Sequence, residues 1–199
     1  MLGNNMDERS GAVEAKIIQT TIDCIEKHGI TGTTIRRIAL MAGINVAAIN
    51  YYFRSKDALL RRCMETTLAN AFDLAGMPDM PGLGPQERCA AIMLEILEGG
   101  IRFPGLTRAH FHKLIAEGQS DSMLADSVNG FIEDLGADLR DRGCAMEPKS
   151  LDRALRQILS AVLMTALAPS LFLPDEKGRA SQGNEGRAAV DRLVALLLI

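Results

Sequence analysis

The chain has 199 residues, with 22 Lys/Arg against 25 Asp/Glu, 47% hydrophobic residues, 4% aromatics and no Trp. This balance excludes a disordered or fibrous chain and a molecule that is basic throughout. Apolar content carried by Ala, Leu, Ile and Met predicts an all-α fold, because these side chains lose little rotamer freedom in a helix. The N-terminal stretch is polar, without the apolar centre of a secretory signal. The longest apolar runs, Ile158–Leu173 (broken by Pro169) and Leu193–Ile199, fall short of the roughly 20 residues that span a bilayer. Cys24, Cys63, Cys89 and Cys144 are scattered without metal-type spacing, so they are expected to be buried thiols, with no membrane partner and a cytoplasmic location for the chain.

Periodicity predicts a first helix over about 11–28, with Val13, Ile17, Thr21, Cys24 and Ile25 on one face and a stop at Gly29. Thr33 or Thr34 caps a short second helix ending at Met41, the turn Ala42-Gly43-Ile44 follows, and Asn45 caps a third short helix to about Tyr52. Ser55 caps a fourth helix over about 56–75. Three prolines and three glycines mark 76–85 as a connector. Beyond it the pattern predicts helices from Pro85 to a stop at Gly99-Gly100, over about 106–117, over 122–142 and over 149–173. A polar loop is expected over 174–186 and a last helix over 187–199.

Charge divides the chain unevenly. Residues 1–62 hold nine Lys/Arg and six Asp/Glu, whereas the remainder holds 13 and 19, so a polyanion is a partner for the head alone. Two helices of about two turns joined by a glycine turn, after a longer helix, form the pattern of a helix-turn-helix unit. Ile38, Ile44 and Ile49 are positioned to lock the pair, leaving the second helix to present its N-terminal half to the major groove.

The run Gly29…Thr33-Thr34-Ile35-Arg36-Arg37-Ile38-Ala39…Ala42-Gly43-Ile44-Asn45…Ile49-Asn50-Tyr51-Tyr52-Phe53-Arg54-Ser55-Lys56-Asp57-Ala58-Leu59 resembles the DNA-binding domain of the tetracycline-repressor (TetR/AcrR) family. The resemblance covers about residues 11–62. It implies a homeodomain-like head at 1–62, an effector-binding and dimerisation body at 63–199, and a homodimeric repressor on a palindromic operator in double-stranded DNA. Within the family, Ala47-Ala48-Ile49-Asn50-Tyr51-Tyr52-Phe53 is similar to the subset whose recognition helix reads Ala-Ala-Ile-Asn-Tyr-His-Phe. Many relatives have Lys or Arg in place of Val46, Gly in place of Ala47 and His in place of Tyr52. Those departures bear on sequence preference.

Chemistry assigns roles to the same positions. Lys56 sets an ammonium beside the amide terminus of the fourth helix, a good place for a phosphate, and Tyr51 and Tyr52 offer phenols to the same backbone. Thr33 or Thr34 supplies a hydroxyl on the other flank, with Arg36 nearby; the resemblance implies that these are backbone contacts. Asn45, Val46, Ala47, Ala48 and Asn50 are left for base edges, Asn50 for an adenine and Val46 or Ala47 for a thymine methyl.

In the body, the apolar helices near 149–173 and 187–199 are the expected homodimer interface, since Leu193, Leu196, Leu197, Leu198 and Ile199 exceed one face of a monomer helix. The helices over about 85–142 are expected to enclose a small-molecule effector, with Met93, Arg102, Phe103, His110 and Phe111 as candidate contacts and the fourth helix as the lever to the head. No cofactor or metal is expected, because His110 and His112 point to different sides of a regular helix. The chain lacks a G-x-S-x-G elbow, a phosphate-binding Gly-Lys loop and an H-E-x-x-H pair, so no enzyme is expected.

Overall fold

A computed structural model describes residues 3–77, 82–119, 122–173 and 179–198, and all regular structure among them is helical. The elements are α1 (Gly3–Gly32), α2 (Ile35–Ala42), α3 (Val46–Phe53), α4 (Lys56–Ala71), α5 (Pro85–Arg102) and α6 (Pro104–His110). They continue as α7 (His112–Glu117), α8 (Ser122–Asp141), α9 (Pro148–Leu167), α10 (Pro169–Phe172) and α11 (Arg179–Leu197).

Two cores organise these helices. The head core gathers Ile17, Cys24 and Ile25 of α1, Ile38 of α2, Ile49 and Phe53 of α3, and Leu59 and Cys63 of α4. The body core joins α5, α8, α9 and α11 through residues such as Ile92, Leu135, Leu155, Ile158 and Val194. Leu106 and Ala109 of α6 pack into the head core although they lie far along the chain. A buried charge ties α5 to α8: Arg88 Nε donates to Asp138 Oδ2 at 3.2 Å, and Arg142 Nε reaches the other oxygen at 3.1 Å.

Several boundaries differ from the sequence reading. The regular α1 geometry breaks at Gly29 (φ 70°), where the stop is expected, and one further turn follows to Gly32. Helix α4 ends at Ala71, because the Phe72 ring turns onto Phe131 at 5.0 Å and Asp73 Oδ1 accepts the Ala75 N–H. Helix α5 runs through Gly99-Gly100 to Arg102; the Gly100 position lies against Ala166 of α9, so the missing side chain serves close packing and not termination. The segment expected as one helix over 106–117 is divided at Phe111 (φ −91°, ψ 0°). Pro169 separates α9 from the short α10. The expected loop over 174–186 is helical from Arg179, where Gly186 is buried against Leu97, and its residues 174–178 lie outside the described ones. Cys144 is half-buried on the body core, whereas the other three thiols are fully buried.

Candidate DNA-reading face and head–body cavity

Local hydrogen bonds set the reading helix. Thr34 Oγ1 accepts the Arg37 N–H at 3.2 Å and starts α2. Gly43 adopts φ 65°, ψ 36°, a left-handed conformation that suits glycine, and the Ile44 N–H closes the turn on Ala39 O at 3.1 Å. Asn45 Oδ1 then accepts the Ala48 N–H at 2.7 Å and starts α3, and Ser55 Oγ accepts the Ala58 N–H at 3.1 Å and starts α4. Ile49 and Phe53 anchor α3 inward, so Val46, Ala47, Asn50 and Tyr51 share the outward face. Tyr51 is 80% exposed, enough to reach beyond the protein surface.

The structure distributes the predicted DNA-facing residues unevenly. Arg36, Val46, Ala47, Asn50 and Tyr51 are exposed, and Ala48 and Lys56 are half-buried. Thr33 is fully buried with its hydroxyl donated to Gly29 O at 2.8 Å, so of the two threonines Thr34 is the exposed one. Asn45 has its carbonyl oxygen engaged as a cap, which leaves the amide NH2 to face outward. Tyr52 is half-buried; its ring meets Tyr51 edge-on at 5.3 Å, and its oxygen accepts the Ser10 hydroxyl at 3.4 Å. Arg37, which adjoins Arg36, is also exposed and donates to Gly32 O. Arg54, passed over in the sequence, is exposed with φ 58° in the link between α3 and α4. A base directly after Tyr-Tyr-Phe was the available signal; its backbone geometry was not readable.

A cavity of about 890 Å³ lies where the head meets the body, walled by α1, α4, α5 and α6 with contributions from Leu124 and Leu163. Phe103, His110 and Phe111 line it, as do Thr67 and Leu68 of the C-terminal part of α4 and Phe72 just beyond it. His110 Nε2 lies 2.9 Å from Thr67 Oγ1, linking α6 to α4. Met93 is buried in the body core and Arg102 is exposed on α5, and neither lines the cavity. Sequence reasoning missed Gln19, Ile22, Asp23 and Glu26 of α1. Their i, i+3, i+4, i+7 spacing marks one helix face, but nothing local says that this face meets the body.

One seam joins head to body at this cavity. Glu26 Oε2 accepts the Leu106 N–H at 3.0 Å, and a Cβ placed on Gly105 would stand 2.4 Å from Glu26 O. Helix α6 therefore lies directly on the α1 backbone while its far end reaches α4 through His110. Helix α4 is the connection expected from the sequence; α6 is a second one.

The fold and its exposed capped helix define an all-helical protein with a helix-turn-helix head. The family model for bacterial regulatory proteins of the tetR family matches residues 17–63. A helix-turn-helix regulator named BetI 1 of Chromohalobacter salexigens is 34% identical over 79 residues, which cover 39% of each chain. An uncharacterised helix-turn-helix regulator from the dhlA 5′ region of Xanthobacter autotrophicus is 24% identical over 85% of this chain and 79% of its own. A transcriptional regulator from Rhodococcus sp. RHA1 superposes with a TM-score of 0.70 at 18% identity, covering 93% of this chain and 95% of that one. A TetR regulator from Haloarcula marismortui gives 0.68 at 19% identity over 94% and 98%. Residues 17–63 therefore match the helix-turn-helix domain of the tetR-family regulatory proteins, and the fold of the whole chain is similar to that of solved TetR-type regulators.

Proposed function

We propose that the chain is a ligand-responsive repressor that acts in the cytoplasm as a homodimer on a palindromic operator, with residues 1–62 reading DNA and 63–199 serving effector binding and dimerisation. The observation that carries this reading is the position of the cavity, whose walls include α1 of the head together with α4, α5 and α6. A molecule filling it touches the reading head directly, so binding shifts the angle of α3 without a long relay. A coupling of about 1–3 kcal/mol changes operator affinity by roughly 5- to 150-fold.

Dimerisation supplies the affinity that one head lacks. A single head makes few phosphate contacts and binds in a salt-sensitive way. Two heads held together make the second engagement intramolecular. Met164, Leu171, Phe172 and Leu196 are exposed on α9, α10 and α11, and a second copy seated there removes them from water. Leu198 is buried within the chain, Leu193 and Leu197 are half-buried, and Ile199 lies outside the described residues.

Mobility shift on DNA flanking the protein's own coding region, over a salt series, tests the reading, with sites selected from a random pool as a second arm. A two-fold-symmetric preferred site, a steep salt dependence and a light-scattering mass of two chains support it. Binding with no preferred sequence, or a single-chain mass at micromolar concentration, refutes it.

A further inference from the structure

We infer that the head–body cavity takes an organic cation with an apolar, ring-sized body, and that Glu26 with its neighbour Asp23 supplies the counter-charge. This rests on the proposal that the cavity holds an effector, and it goes further by assigning that effector's charge and shape.

The lining carries four carboxylates, Asp23 and Glu26 on α1, Asp73 after α4 and Glu95 on α5, against the single ammonium of Lys27. Arg102 and Arg108, close in sequence to the cavity, do not line it. Three of the carboxylates are held by neutral donors. Gln19 Nε2 donates to Asp23 Oδ1 at 3.1 Å, the Leu106 N–H to Glu26 Oε2 at 3.0 Å and the Ala75 N–H to Asp73 Oδ1 at 3.1 Å. Such bonds orient a carboxylate without cancelling its charge, so the cavity keeps a negative field. Glu26 is half-buried, where the lower local dielectric strengthens attraction to a cation.

The shape of the lining selects among cations. Among the described residues, no group of three or more His, Cys, Asp or Glu is placed to hold a metal ion, so the acids are spread and suit a diffuse charge. At about 890 Å³ the space is at the upper end of small-molecule sites, which run to about 1,000 Å³. The rings of Phe72, Phe103 and Phe111 supply apolar wall, and an aromatic face attracts a cation that lies over it. Asp23, Asp73 and Glu95 are exposed and screened by water, so the half-buried Glu26 carries most of the discrimination against an anionic ligand.

Calorimetry on the full chain with tetraphenylphosphonium and its near-isosteric anion tetraphenylborate isolates the sign of charge from size and greasiness. The expected result is phosphonium binding at least about tenfold tighter than borate, a difference of about 1.4 kcal/mol. Glu26→Gln keeps an acceptor for the Leu106 N–H, and it is expected to weaken phosphonium about tenfold while leaving the melting temperature near wild type. Asp23→Asn, on an exposed residue, provides a second variant with the same expected direction. Equal or tighter borate binding, no binding of either probe, or phosphonium affinity untouched by both variants overturns the inference. A mobility shift run alongside separates the two levels. Phosphonium that binds but leaves DNA bound contradicts the regulatory proposal and upholds the charge assignment. DNA release by an anionic compound, with phosphonium inert, does the reverse.

Discussion

Replacing Gly105 with alanine adds one methyl group at the tightest point between head and body. Its Cβ would lie 2.4 Å from Glu26 O, 2.7 Å from Glu26 Cα and 2.8 Å from Glu26 C. All three atoms are backbone of α1, so no side chain can rotate away. Non-bonded atoms settle near 3.5 Å, and the seam must therefore open by about 1 Å. Opening it lengthens the Leu106 N–H to Glu26 bond and pulls Leu106 and Ala109 partly from the head core. Overpacking of this kind costs about 1–3 kcal/mol, and the loss of one hydrogen bond adds about 1 kcal/mol. For a chain of this size each kcal/mol moves the midpoint by about 2–4 °C, so the expected fall in thermal midpoint is about 5–15 °C. Gly130→Ala, in the interior of α8 with nothing within 4 Å of the added Cβ, is the matched control and is expected to raise the midpoint slightly. Differential scanning calorimetry on both variants decides the matter. A Gly105→Ala midpoint equal to or above wild type would refute the close seam between α1 and α6.

Other expectations follow from the same geometry. Lys56→Ala is expected to weaken binding to all DNA sequences alike and to flatten the salt dependence by about one counterion, whereas Asn50→Ala changes which sequences are preferred; titrations over a salt series and pool selection distinguish them. Asp138→Ala removes the carboxylate shared by Arg88 and Arg142 and one charge-assisted hydrogen bond of the buried Arg88 guanidinium, which is expected to cost about 1.5–3 kcal/mol in urea denaturation. Burial pushes the thiols of Cys63 and Cys89 up to about 12. The unfolded thiols ionise nearer the ordinary value of about 9, so the stability present below pH 9 is lost as pH rises toward 12, by about 1.4 kcal/mol per pH unit for each thiol. Denaturation at pH 7 and pH 10 reads that slope, and Cys144 is expected to react first with a thiol reagent because it alone is half-buried.

The head was legible because its signals are local. Thr34, Asn45 and Ser55 cap helices within three residues of their own position, and Gly43 turns the chain by its own backbone. The body was less legible because its helices answer to distant partners. Gly99-Gly100 has the composition of a stop, yet α5 continues because Gly100 meets Ala166 some 66 residues away. The polar stretch before Arg187 has the composition of a loop, yet it is helical where Gly186 packs under Leu97. The outward residues of α3 could be named from the sequence, since α3 exposes most of what Ile49 and Phe53 do not bury. The cavity could not be, because three of its five charged lining residues come from α1, and it is the α1–α6 contact, distant in sequence, that brings that face to the body.

In the proposed mode of binding, α3 is the element that enters DNA. Ala47 is exposed at its N-terminal end, so Ala47→Glu places a carboxylate against phosphates and base acceptors without disturbing the core. Its control is Ala137→Glu, an exposed change on α8 with the same charge. On the site selected from a random pool, Ala47→Glu is predicted to lose at least about 100-fold in affinity, about 2.7 kcal/mol, while Ala137→Glu binds as wild type. Equal affinity for Ala47→Glu and wild type, with both folded by circular dichroism, would contradict the placement of α3 in the groove.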